Sequence, residues 1–166
     1  IAEKSVGLDY LEGWVEHKLI DGVIIKIRAF GSRTLHIVAG NGPGLGLITL
    51  ARCALTRCDC IIKAPSNDPF TSAALALTMC DMAPDHPITR HFSVAYWKGG
   101  DAEVEDKLYR PHNIEKIIAW GGLAGIKHVT KYIQPGLELI SLDPKTSISV
   151  VGREALDDEQ QMKEAA

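Results

Sequence analysis

The sequence predicts an α/β fold, a doubly wound and mostly parallel sheet with helices on both faces. Two observations predict it. Short, near-continuous apolar runs alternate with segments of helical periodicity, which is the pattern of strands buried on both sides. Glycine clusters follow three of those runs, at 40–46, 99–100 and 121–122, where a parallel sheet gathers its ligand-binding loops at the carboxyl ends of the strands.

The elements follow in order. Residues 8–19 mix apolar and charged side chains and predict a weak helix. The β-branched run at 23–30 predicts a strand, closed by a turn at Phe30-Gly31-Ser32-Arg33. A strand at 34–39 leads into Gly40-Asn41-Gly42-Pro43-Gly44. Leu47, Leu50, Ala51, Ala54 and Leu55 then repeat with a helical period over 45–57. A second buried strand is expected at 60–63. Asp68-Pro69 supplies a capping residue and a first-turn proline for a helix running to about Met82, which Pro84 and Pro87 end. Further strands are expected at 92–97, 116–120, 137–142 and 147–151, with helices at 103–108 and 123–132. The tail from 154 reads as helical and polar.

Composition narrows the functional classes. Of 166 residues, 46% are hydrophobic and 23% charged, which describes one folded domain and excludes wholesale disorder. The net charge of −3 is concentrated in 153–166, and no basic stripe is present, so nucleic-acid binding is excluded as the main task. No apolar run is long enough to cross a bilayer, and no signal-peptide pattern opens the sequence. The sequence starts at Ile1 without Met and reads as part of a longer chain. Cys53, Cys58, Cys60 and Cys80 fit no zinc spacing and lie in apolar segments, as reduced thiols of a cytoplasmic protein do. The six histidines form no metal pair, and His36, inside a strand, reads as a core residue. No nucleophile elbow, P-loop or paired-carboxylate signature appears.

Two features point to a ligand. Gly40-Asn41-Gly42-Pro43-Gly44-Leu45-Gly46 follows a strand and opens a helix, so backbone can approach a ligand and the helix N-terminus favours an anion. It is not the dinucleotide fingerprint, because Leu45 stands where the third glycine belongs, and a tight turn explains the loop equally. Lys63 stands just past the second strand, the edge that meets an adenosine ribose, where a cation accommodates a 2′-phosphate. A solvated strand-end lysine is the plainer reading.

Taken together, five segments resemble the LuxC-type acyl-CoA reductases, relatives of the aldehyde dehydrogenase superfamily. They are His36-Ile37-Val38-Ala39-Gly40-Asn41-Gly42-Pro43-Gly44, Ile62-Lys63-Ala64-Pro65-Ser66-Asn67-Asp68-Pro69-Phe70, His91-Phe92-Ser93-Val94-Ala95-Tyr96-Trp97-Lys98-Gly99-Gly100, Ala119-Trp120-Gly121-Gly122 and Asp143-Pro144-Lys145-Thr146-Ser147-Ile148-Ser149-Val150. Their order and spacing agree over 34–151. The resemblance implies a Rossmann-like, aldehyde dehydrogenase-type cofactor domain at 34–152, preceded by a lead-in helix and strand at 1–33 and followed by an acidic helical tail at 153–166. It implies NADP(H) as cofactor, with Lys63 on the adenosine ribose or its phosphate and Gly121 and Gly122 near the cofactor phosphates; Gly40, Asn41, Gly42, Pro43, Ser66, Gly99 and Gly100, in the loops after the strands, complete the expected cofactor site. It implies reduction of a fatty acyl-CoA or acyl-enzyme to a fatty aldehyde through a cysteine thioester, with a homo-oligomer or an acyl-donor protein as partner. Ser141 takes the place of the general-base glutamate of aldehyde-oxidising relatives, which fits reduction. The family's nucleophile lies some tens of residues past Lys145, and no Cys follows Lys145 here. The catalytic domain is therefore expected outside this chain, with no catalytic residue and no metal ligand within it. Cys58, beside Arg57, is the thiol best placed for a depressed pKa. Two other readings stand beside this one: a non-catalytic nucleotide-binding module, and an aldehyde dehydrogenase acting on free aldehydes.

Overall fold

A computed structural model describes residues 7–146, 148–150, 152, 153, 160 and 163. The described residues open with a short helix, α1 (Leu8–Glu12), and an antiparallel hairpin, β1 (Val15–Lys18) and β2 (Ile24–Ile27). The main body then alternates: β3 (Arg33–Ile37), α2 (Leu45–Thr56), β4 (Asp59–Lys63), α3 (Thr71–Met82), a 3-10 turn (Pro87–Arg90), β5 (Phe92–Ala95), α4 (Ala102–Leu108), β6 (Lys116–Trp120), α5 (Leu123–Thr130) and β7 (Glu138–Leu142).

The five body strands form one sheet in the order β5-β4-β3-β6-β7, every neighbour parallel. The chain therefore winds outward from β3 to β5, returns to the other side of β3, and winds outward again. This is the Rossmann-like, doubly wound arrangement that the sequence predicts.

The strands alternate between two covered faces, which explains their continuous hydrophobicity. Cys60 and Ile62 of β4 pack with Val38, Leu50, Cys53 and Ala76 under α2 and α3. Leu35, Ile117 and Ala119 point the other way, into a cluster with Tyr109, Ile126 and Val129 under α4 and α5. Helices α2 and α3 approach closely at Gly46, where an added Cβ would lie 2.3 Å from Ser72 Oγ.

Three expectations need correction. The helix expected at 8–19 stops at Glu12, and Val15-Glu16-His17-Lys18 is strand, paired with β2 and supported by Lys26–Glu16 at 3.0 Å. The capping signal at Asp68 is real, since its Oδ1 accepts from Thr71 N–H at 3.1 Å, yet Pro69 and Phe70 precede the helix instead of opening it. The strand expected at 147–151 is absent at 148–150; Ser147 and Val151 lie outside the described residues, as does most of the tail expected to be helical.

Substituting Gly46→Ala should destabilise the fold by about 1–3 kcal/mol, the cost of overpacking. Gly125→Ala, on α5 with open space around it, should instead gain up to about 1 kcal/mol from helix propensity. Chemical denaturation of the two variants checks the contrast.

Candidate cofactor cleft

The reversal of winding between β3 and β6 leaves the loops after these two strands apart, and a cleft of about 600 Å³ opens there. Its walls are Ala39, Gly40 and Asn41 after β3, Leu45 at the start of α2, Asn67 after β4, Trp120 at the end of β6 with Gly121 and Gly122 beyond it, and Leu142 at the end of β7 with Pro144 beyond it. Gly44 immediately precedes α2 and Gly122 immediately precedes α5, and neither helix has a capping side chain. Two helix N-termini without a capping side chain thus border one opening, an arrangement suited to an anion. Asn67 Nδ2 donates to Gly40 O at 2.8 Å and ties the loops after β3 and β4 together. The two come so close that a Cβ on Gly40 would meet Asn67 Oδ1 at 1.7 Å. The indole N–H of Trp120 is buried without a hydrogen-bond partner.

Of the residues expected at the site, Gly40, Asn41, Gly121 and Gly122 line the cleft. Gly42 and Pro43 belong to the same loop but not to the lining, and Ser66 is exposed in the turn after β4. Lys63 ends β4 on the opposite side from Cys60 and is half-buried, with Nζ 5.3 Å from the Trp97 ring centroid. Burial lowers its pKa, while the Glu105 charge acts to raise it. Gly99 and Gly100 follow the edge strand β5 and stay outside the cleft; Gly100 N–H is bound to Glu105 Oε1 at 3.1 Å. Sequence reasoning missed Asn67 and Trp120. Asn67 adjoins Ser66 in the same motif, whereas nothing local marks Trp120 as a cleft residue.

Glu105 was also missed. Only 1% exposed, its carboxylate gathers His128 Nε2 at 2.6 Å, Gly100 N–H, Tyr132 OH at 3.4 Å and Tyr109 OH at 3.5 Å. Burial alone would push its pKa up, but hydrogen bonds from His128 and Gly100 and the charge of His128 hold it below the usual carboxylate range. This group ties the loop after β5 to α5 and sets the floor beneath Lys63 and Trp97. Among the described residues, no group of three or more His, Cys, Asp or Glu side chains is placed to hold a metal ion. No helix of the described residues is long and apolar enough to cross a membrane.

Residues 26–166 match the family model of the acyl-CoA reductase LuxC. The chain belongs to this family. Long-chain acyl-protein thioester reductases are similar to this LuxC-family chain. That of Photorhabdus luminescens is 37% identical over 75% of the chain and 26% of the relative, and that of Aliivibrio fischeri 38% identical over 71% and 24%. That of Vibrio harveyi is 36% identical over 84% and 28%. The chain thus spans about a quarter of the length of these relatives. The fold is similar to that of gamma-glutamyl phosphate reductase from Thermotoga maritima, with TM-score 0.54 and 14% identity over 79% of this chain and 31% of that one.

Because the folded pKa of Glu105 is depressed, its contribution to stability is complete above the ordinary carboxylate value of about 4.3 and is lost as pH falls through the lower folded value. Glu105→Gln should flatten that acid limb. Glu105→Ala should cost about 3–5 kcal/mol at neutral pH, as removal of one partner of a buried pair does. Urea titrations from pH 3 to pH 7 check both.

Proposed function

We propose that this chain is the NADP(H)-binding portion of a LuxC-family reductase that converts a fatty acyl thioester to a fatty aldehyde through a cysteine acyl-enzyme, with the nucleophile outside this chain. The observation that carries the reading is the cleft at the switch point between β3 and β6, bordered by two uncapped helix N-termini and four glycine-loop residues, Gly40, Asn41, Gly121 and Gly122. The curated relatives are named as reductases of acyl-protein thioesters, which favours an acyl group delivered on a protein, and self-association of the full protein is part of the same proposal. Four free thiols suit a cytoplasmic location.

The residues fit a dinucleotide. Backbone at Gly40 and Asn41 and the N-termini of α2 and α5 would hold the pyrophosphate, and Asn67 would keep the Gly40 loop in place. The Trp120 indole N–H offers a donor that the protein itself leaves unmatched. Lys63, at the end of β4 and next to Ile37 in register, would meet the adenosine ribose or its 2′-phosphate. When bound, the nicotinamide supplies the hydride for reduction. Ser141 donates to Asp143 Oδ2 at 3.4 Å and is not itself a general base, which supports reduction as the reading.

Titration of the chain with NADPH and NADH, followed by calorimetry, tests the reading. Gly122→Asp, which sets a carboxylate at the N-terminus of α5, should weaken both cofactors by roughly tenfold or more, at least 1.4 kcal/mol. Lys63→Ala should weaken NADPH by about 1.5–3 kcal/mol and NADH much less, the range for hydrogen bonds to charged groups. Equal loss for both would move Lys63 to the ribose hydroxyls. Binding unaffected by Gly122→Asp would remove the cofactor from this cleft.

A further inference from the structure

On the face of the sheet away from Lys63 lies a polar group that the cofactor cleft does not use. Cys53 of α2 and Cys60 of β4 are 5% and 3% exposed and pack in one cluster, and both adjoin Thr34, whose Oγ1 is 4.0 Å from Cys53 Sγ and which pairs with Cys60 in the ladder. His36 Nε2 stands 3.2 Å from Cys53 Sγ and 3.2 Å from Thr34 Oγ1. Thr34 spends its hydroxyl hydrogen on Asp59 O at 3.0 Å, so it can only accept from the imidazole. A proton on His36 Nε2 serves Thr34 Oγ1 and leaves Cys53 Sγ beside it as an acceptor. Contact with Cys60 and with His36 outweighs burial and lowers the pKa of Cys53, while contact with Cys53 and burial raise that of Cys60. Both directions favour a thiolate at Cys53 and a protonated thiol at Cys60.

Cys53 is also reachable. It lines an apolar cavity of about 450 Å³ with Leu50, Arg57, Cys58, His91 and Phe92, at the amino-terminal end of β4 and β5 and apart from the residues of the cofactor cleft. The sequence favours Cys58 as the activated thiol because Arg57 precedes it. The structure turns the Arg57 guanidinium to Glu12 and to Leu11 O, and leaves Cys58 Sγ with Thr56 Oγ1 at 3.2 Å and Ser32 N–H at 3.5 Å.

We propose that Cys53 and Cys60 form a hydroperoxide-reactive dithiol site, Cys53 attacking and Cys60 resolving, with the apolar cavity as the way in. The Cys53 sulfur attacks one peroxide oxygen. The O–O bond breaks, a sulfenic acid forms, and the departing hydroxide takes up the proton given up by Cys53 and leaves as water. The Cys60 sulfur then attacks the sulfenic sulfur. The S–S bond forms, the S–O bond breaks, and the hydroxide leaves as water with the Cys60 proton. Two thiols lose two electrons and two protons, and one hydrogen peroxide becomes two waters. The site is independent of the cofactor reading.

The test uses the unsubstituted chain, with Cys80, half-buried on α3, as an internal reference. Hydrogen peroxide is added at neutral pH, and peptides are mapped without reduction by mass spectrometry. Cys53 should be consumed roughly tenfold or more faster than Cys80, and the first bridge should join Cys53 to Cys60 and reopen with dithiothreitol. In Cys60→Ser, a sulfenic acid should persist on Cys53 and be trapped by dimedone. Consumption of Cys58 or Cys80 as fast as Cys53, or a first bridge containing Cys58, would overturn the proposal.

Discussion

The pairing of β3 with β6 is the constraint on which the rest of the molecule depends. β3 is covered on both faces and bonded on both edges, with Thr34 beside Cys60 on one side and Lys116 on the other. The middle of a strand in that position is closed off from solvent, which is why Leu35 is fully buried. Because the chain leaves β3 in one direction and comes back on its other side, the loops after β3 and β6 must diverge. The cleft is a product of connectivity before it is a product of any side chain. The glycines then make the opening usable by keeping its rim down to backbone.

Each face of the sheet carries a hydrogen-bonded polar group inside its apolar packing. Under α4 and α5 it is the Glu105 carboxylate with His128, and under α2 and α3 it is the Cys53, His36 and Thr34 group. Both are internally matched, donor to acceptor, as buried polar groups must be. They differ in what they hold. Glu105 joins the loop after β5 to α5 and backs the Lys63–Trp97 contact, so it supports the side of the sheet where a ribose would lie. The thiol group joins α2 to β3 and β4 near the amino-terminal end of the strands.

Strands buried on two faces were legible because burial on both sides leaves a continuous apolar run; 116–120 is read without error. Where one side meets solvent, the signal failed. Val15-Glu16-His17-Lys18 alternates over only four residues, too few to stand out from the helical pattern before it, and its pairing with β2 is a tertiary fact. At 148–150 the β-branched alternation is present, but Ile148 and Val150 are exposed and no neighbour completes a ladder. Tyr96 and Trp97 extend the apolar run of β5 past its last ladder residue, since the chain there turns inward to bury the Trp97 ring. In the site, glycine clusters announce themselves by composition. Asn67, Trp120 and Glu105 do not, because each works through a neighbour far away in sequence.

The same central pairing sets an order of events when the chain folds. Arg33 N–H is bonded to Glu115 Oε2 across 82 residues of sequence, and the strand ladder beside it has to close an equally long loop. Loop closure of that length costs entropy before any contact returns it, so β6 joins late. During synthesis, β3, α2, β4, α3 and β5 emerge together and can assemble through short connections. Until the segment at 116 emerges, β3 presents an open edge of unpaired backbone, the kind that recruits stray strands. The central strand of the finished sheet is thus, for that interval, its most vulnerable margin.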